Sequence, residues 1–243
     1  MRRFFTDPLA PDCTRTLLDQ DESRHLRHVL RVSAGEKIEL IDGHGMRYSG
    51  TVEQLGKQVA VAIGSRRKEK DDSAPIIVSQ GDLKGGKIDF LVEKCTELGV
   101  RTFIPFTAGR SQGRLDAARR ERRRARHESI VKSASKQCGR FYFMQIEPEM
   151  TFEELIGLGC DPACRKIMLW EKADGVTLSD VIGEDRLSPV YLTIGPEGGF
   201  SAEEAARARA AGWRQVSLGP RILRAETAAV AAVAVVNHLL GRF

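Results

Sequence analysis

Ile88, Leu91, Val92, Cys95 and Leu98 recur at helical spacing within GKIDFLVEKCTEL, and Gly99 follows as a stop. This predicts an amphipathic helix with one face on a sheet. Around it the period changes: IIVSQG, TFIPFT, KIMLW, YLTI and QVSL are short apolar runs bounded by turn residues, each read as a strand. From Pro75 onward strands and helices alternate, which predicts an α/β domain with a mainly parallel sheet. Earlier in the chain, a short helix DESRHLRHVLR precedes KIELIDG, MRYSGTVEQ and QVAVAIG, which alternate like strands joined by DGHG and LGK turns. That part is a small β-rich domain. The charged stretch SRRKEKDDSAP predicts a linker, giving domains at residues 1–70 and 75–243. Near the end, TAAVAAVAVVNHLL is apolar nearly all round, as a buried helix would be.

One segment breaks the amphipathic rule. LDAARRERRRARHESIVKSASKQCGR has strong helical propensity, and Ile130, Val131, Ala134 and Cys138 form a candidate buried stripe. Continued backwards, the same face meets Arg119, Arg120 and Arg123. The first half is therefore expected to project beyond the core, or the helix to break near His127, with the guanidinium groups in solvent. Net charge is +5 for 243 residues, yet residues 110–140 hold 11 Arg or Lys against 3 Asp or Glu, so the segment carries +8 and the remainder −3. Solvated helix faces intersperse acids for i,i+4 pairs, whereas this run has Glu121 and Glu128 among its arginines. Phosphate binding accounts for the surplus better, and Arg119, Arg122, Arg123, Arg124 and Arg126 are the candidates. In the first domain, Arg24, His25 and Arg31 are candidates on a basic helix. His25 and His28 lack the partners that a metal pair would need.

Five scattered cysteines, Cys13, Cys95, Cys138, Cys160 and Cys164, do not resemble a disulfide framework, and Cys160 with Cys164 has no second pair at zinc spacing. No metal is expected. The opening MRRFFTDP has no apolar core of a signal peptide, and no apolar run approaches the roughly 20 residues of a membrane span. A cytoplasmic protein is the expectation.

The chemistry concentrates in two loops. PVYLTI runs into Gly195, Pro196, Glu197, Gly198 and Gly199, and Ser201 with Glu204 makes a capping box that opens the next helix. Glycines at a strand-to-helix turn let a ligand lie against bare main chain, although an ordinary tight turn would look the same. After Gly212, WRQVSL and LGPRILRAET repeat the plan, which tilts the reading toward one pocket at adjacent strand ends, rimmed by Arg221, Arg224 and Glu226. Neither a dinucleotide fingerprint nor a P-loop is present.

GPEGG followed by LGPRILRAET resembles the signature of the RsmE-type 16S rRNA uracil-N3 methyltransferases, within the knotted SPOUT methyltransferases. VEKCTELGV, KQCGR, HLRHVLR and AGEKIELIDGHG resemble that family's other blocks in the same order, so the likeness spans nearly the whole chain. The resemblance implies a PUA-like RNA-binding first domain and a SPOUT α/β domain with a trefoil knot. It also implies S-adenosylmethionine as cofactor, 16S rRNA or the small ribosomal subunit as partner, and a homodimer to which the last helix contributes.

By the same resemblance, Gly195, Glu197, Gly198, Gly199, Leu218, Gly219, Ile222 and Leu223 would hold the cofactor. Arg224 would stabilise the developing uracil anion, and Arg140 and Gln137 would hold the target base or its phosphate. Glu197 is read as structural rather than as a base, and Glu226 with Thr227 as the start of the last helix. Two departures from the family pattern stand out. Lys136 occupies a place where glutamate is common, which would strengthen phosphate contact, and LWEKADG leaves the roles of Trp170 and Glu171 open. The rival readings are a knotted ribose 2′-O-methyltransferase and a non-enzymatic RNA-binding or ribosome assembly factor.

Overall fold

The computed structural model describes residues 2–109, 116–159 and 162–243. The chain divides into two compact units, Met1–Asp72 with Lys132–Phe143, and Ser73–Val131 with Met144–Phe243.

The first unit is a five-stranded sheet of β1 (Arg3–Phe5), β2 (Arg15–Leu17), β3 (Lys37–Ile41), β4 (Met46–Leu55) and β5 (Val59–Lys68), in the order β1-β3-β4-β5-β2. β1 lies parallel to β3, and the other pairs are antiparallel. Asp19 caps α1 (Gln20–Arg24) by accepting from the Glu22 N–H at 2.7 Å, and a π-helical turn, His25–Val29, continues it. Phe4, Leu18, Leu26, Ile38, Leu40 and Tyr48 form the core. β5 runs to Lys68, so half of the expected linker is strand and the connection shortens to residues 69–73.

The later segment Lys132–Phe143 joins this unit through the DGHG turn. Gly43 and Gly45 have φ of +75° and +89°, and a Cβ at either would come within 2.2 Å of the Phe143 or Tyr142 ring. The Phe143 N–H donates to Gly43 O at 2.9 Å, and the Gly45 N–H to Phe141 O at 3.0 Å. Glycine here is required by close packing as well as by φ.

The second unit alternates as its sequence predicts: β6 (Ala74–Gly81), α2 (Lys87–Glu97), β7 (Val100–Thr107), α3 (Ala117–Cys138), β8 (Gln145–Ile146), β9 (Met150–Thr151), α4 (Phe152–Ile156), β10 (Arg165–Leu169), α5 (Leu178–Ile182), β11 (Val190–Ile194), α6 (Ala202–Ala210), β12 (Arg214–Val216) and α7 (Ala225–Leu239). The strand order is β12-β10-β11-β6-β7-β8, with β9 beside β7, and every pairing is parallel. Parallel strands carry apolar residues on both faces, as the runs of this sheet do. Phe106, Phe152 and Phe200 cluster on one face with centroids 5.7 to 6.2 Å apart, and Trp213 packs on the same core. After the edge strand β12 the chain returns as α7 to pack on α2, α5 and β11, and the buried Asn237 amide donates to Leu98 O at 2.8 Å. One face of α7 is buried through Ala229, Ala232, Val233 and Val236, while Val235 on the other is 44% exposed.

α3 departs from expectation. It is continuous through His127, with no break, and its buried stripe is His127, Val131, Ala134 and Ser135; Cys138 is exposed. The stripe begins one turn earlier than apolarity alone suggests because a neutral imidazole can be buried.

A cavity at four aligned strand ends

Register brings the carboxyl ends of four strands level: Ile194 pairs with Gln80 and with Leu169, and Leu169 with Val216. Leu169, Ile194 and Val216 line a cavity of about 650 Å³, within the range of about 300–1,000 Å³ usual for small-molecule sites. The first glycine loop, Gly195–Gly199, and the second loop, from Ser217 to Arg224, form its walls.

The first loop is tight. Gly199 has φ of +63°, and a Cβ on Gly195 would lie 3.2 Å from the Gly199 carbonyl carbon and from the Phe200 ring. Ser201 and Glu204 form the predicted capping box behind it, and the buried Glu204 also accepts from the Gly109 N–H at 2.9 Å. The end of β6 supports the loop from below: a Cβ on Gly81 would meet Pro196 N at 2.6 Å, and the fully buried Gln80 Nε2 lies 2.9 Å from Gly195 O.

Glu197 accepts from the Lys84 N–H at 2.9 Å and lies 3.4 Å from Lys87 Nζ. Burial alone would raise its carboxyl, but the Lys84 and Glu197 N–H groups and the Lys87 ammonium outweigh it and hold the group below the usual glutamate range. Such a carboxylate anchors a loop and is poorly suited to taking a proton at neutral pH.

The cavity brings together Gly195, Glu197, Gly198, Gly199, Leu218, Ile222, Leu223 and Arg224 from the sequence candidates, with Arg221 and Glu226 at its rim. Gly219 is not among the lining residues; it has φ of +111° and turns the second loop, its carbonyl accepting from Ser217 Oγ at 3.2 Å. Trp170 and Glu171 line the cavity as well, and the Trp170 N–H donates to Val216 O at 3.0 Å. Lys87 was not singled out in the sequence. It stands at the start of α2, with its ammonium 3.6 Å from Glu226 and shared with Glu197. Trp170 Nε1 and Glu226 Oε2 are buried without a partner, one donor and one acceptor among the lining residues. A glycine cradle, apolar strand ends and a few such groups suit a ligand with a flat apolar part and a polar zwitterionic part.

The arginine candidates separate by partner. Arg119, Arg122, Arg124 and Arg126 are exposed, Arg124 pairing with Glu128 at 3.1 Å and Arg126 with Asp89 at 2.6 Å. Arg123 is not presented to solvent: its side chain is 20% exposed and bridges Asp82, at 2.6 Å, and Glu149. The second-unit acids that hold it lie far off in sequence.

In the first unit, Arg24 and Arg31 are exposed, Arg31 with φ of +48°, and His25 sits edge-on to Phe4 at 6.2 Å. Lys136 is not free for phosphate either, because it pairs with Glu22 at 2.6 Å and lies 4.8 Å over the Phe5 ring. Gln137 is exposed, whereas Arg140 is 6% exposed and donates to Tyr142 O. Cys160 lies outside the described residues; among those described, no three His, Cys, Asp or Glu side chains gather as a metal site, and no helix is long and apolar enough to cross a membrane.

A family model described as an RNA methyltransferase domain matches residues 70–237, and one described as an RNA methyltransferase PUA domain matches residues 18–63. The ribosomal RNA small subunit methyltransferase E of Aquifex aeolicus (strain VF5) is 31% identical over 226 residues, covering 91% of this chain and 93% of the relative. The protein of that name from Bacillus subtilis (strain 168) is 26% identical over 249 residues, covering 98% and 96%. The crystal structure of a ribosomal RNA small subunit methyltransferase E from Neisseria gonorrhoeae bound to S-adenosyl methionine is similar with a TM-score of 0.87 at 30% identity, covering 98% of both chains.

Proposed function

The chain belongs to the RNA methyltransferase family, and on that premise we propose that it methylates N3 of a uridine in small-subunit 16S rRNA with S-adenosylmethionine as donor. The observation that carries this reading is the double-glycine-loop cavity at four level strand ends, in a chain similar over 98% of its length to an enzyme whose crystal structure holds that cofactor. A trefoil knot, a homodimer and a cytoplasmic location belong to the same proposal. Val235 and Ile222, 44% and 85% exposed, support a partner surface.

S-adenosylmethionine supplies an electrophilic methyl group on a sulfonium. Uracil N3 carries a proton at neutral pH, which must leave before or during attack, so negative charge develops on the base. Arg224 and Arg221 line the cavity with positive charge that can stabilise it, while the Lys87 ammonium is shared between Glu197 and Glu226. The main chain of Gly195, Gly198, Leu218, Ile222 and Leu223 would hold the donor, with Glu197 fixing the first loop. Exposed Arg119, Arg122, Arg124 and Arg126 would dock the RNA, as would Arg24, His25, Arg31 and Gln137 of the first unit.

The test is calorimetric titration with S-adenosylmethionine, followed by mass-spectrometric nucleoside analysis of small subunits incubated with protein and cofactor. N3-methyluridine is expected. A ribose-methylated product would reassign the acceptor atom, and absence of cofactor binding would leave an RNA-binding factor. Arg224→Ala should lower turnover by about two orders of magnitude or more with little change in thermal stability; full activity in that variant would remove its role.

A further inference from the structure

Gln80 is the penultimate residue of β6, beneath the first glycine loop, and is fully buried. Its Nε2 lies 2.9 Å from Gly195 O, 3.0 Å from Gly81 O and 3.4 Å from Ile194 O. Three carbonyl oxygens around one atom settle which end of the amide faces them, since an oxygen there would be repelled by all three. With two N–H groups to give, the amide serves Gly81 and Gly195 best. Gly81, next in sequence, has no Cβ and so lets Pro196 approach.

We propose that Gln80 is a positioning residue for the cofactor site: by drawing the Gly195 carbonyl down toward β6, it sets the orientation of the Gly195–Pro196 peptide and hence which backbone groups of the loop face the cavity. This rests on the reading of the cavity as an S-adenosylmethionine site. A loop with few side chains selects its ligand through main-chain donors and acceptors, and a carbonyl turned the wrong way would put an unmatched acceptor against it. Gln80 does not line the cavity and so acts through the loop alone.

Two variants test the idea. Gln80→Met keeps most of the volume and removes both donors. Gln80→Glu keeps the shape but turns an oxygen toward the carbonyls; surrounded by acceptors and buried, the new carboxyl has a raised pKa and can donate again once protonated. Expected are at least about tenfold weaker S-adenosylmethionine binding for Gln80→Met at every pH, and for Gln80→Glu at pH 8, with Gln80→Glu recovering toward pH 5.5 while the parent protein stays flat. A residue that only fills space would leave Gln80→Met, which keeps most of the volume and brings in no charge, binding like the parent. Binding by both variants within twofold of the parent at pH 8 would overturn the proposal.

Hydrogen exchange at the Gly198 and Gly199 amides gives a readout without cofactor. It should speed up about tenfold in Gln80→Met with little change in β7, and unchanged exchange would also overturn the role. If the parent protein itself fails to bind S-adenosylmethionine, the functional reading falls and the exchange experiment alone decides on Gln80.

Discussion

His127 is 1% exposed and neither ring nitrogen has a hydrogen-bond partner; Asp89 Oδ1, 3.6 Å from Nε2, is the nearest carboxylate oxygen. Burial, and then the Arg123 guanidinium, push its pKa down to about 4. The unfolded chain takes up this proton near pH 6.5, the native protein not until about pH 4. Its contribution is therefore complete above pH 6.5 and is lost as the pH falls toward 4, by about 3 kcal/mol in all. Urea unfolding at pH 7 and pH 5 should show this slope in the parent protein, and His127→Phe should flatten it. An equal slope in both would place the titration elsewhere. In the sequence the residue marked only the place near which the helix would break if its first half did not project beyond the core, because a histidine among arginines shows no burial until its neighbours are known.

In α3 the sequence disclosed the basic surplus and its likeness to a phosphate-binding helix, but not which arginines are engaged. Arg123 and Arg122 are adjacent and chemically identical, and only the fold brings Asp82 and Glu149 to one of them. Arg119→Ala, Arg122→Ala and Arg124→Ala combined should weaken RNA binding and flatten its dependence on salt, by about 0.7–0.9 in log–log slope for each phosphate no longer neutralised, with little change in stability. Arg123→Ala should instead destabilise the protein by about 2 kcal/mol, since Glu149, 7% exposed, is left without this cation. Filter binding across a salt series and denaturant unfolding separate the two. A shared slope effect with no stability difference would contradict the division. The same limit governed the cavity. Both glycine loops were legible because glycine, proline and capping residues act locally, whereas Lys87 and Trp170 reach the cavity, and Gln80 the loop that walls it, through strand register and the start of α2, which no local spacing encodes.

Cavity-lining residues range from Lys87 to Ala228, so a ligand there binds across the length of the second unit. Cofactor at 100 times its dissociation constant should stabilise the native state by about 2.7 kcal/mol, seen as a higher urea midpoint with an unchanged m-value. No shift at saturation would separate the cavity from cofactor binding. At this scale the alternation of strands and helices from Pro75 already implied the parallel sheet, and the whole-chain likeness implied the family. The interruption of the first unit had no local signature: FYF reads as an ordinary apolar triplet until Tyr142 and Phe143 are seen over Gly45 and Gly43.

That DGHG turn has a consequence for synthesis. A ribosome delivers residues in order, and the β-sheet emerges complete by Lys68 while the rings that close over its turn are still more than seventy codons away. The nascent sheet must wait with an uncovered turn while the whole of Ser73–Val131 is made. A stop codon or a protease cut placed at the apparent boundary near residue 70 would thus release an unfinished module, and a faithful transplant of it would have to carry Lys132–Phe143 along.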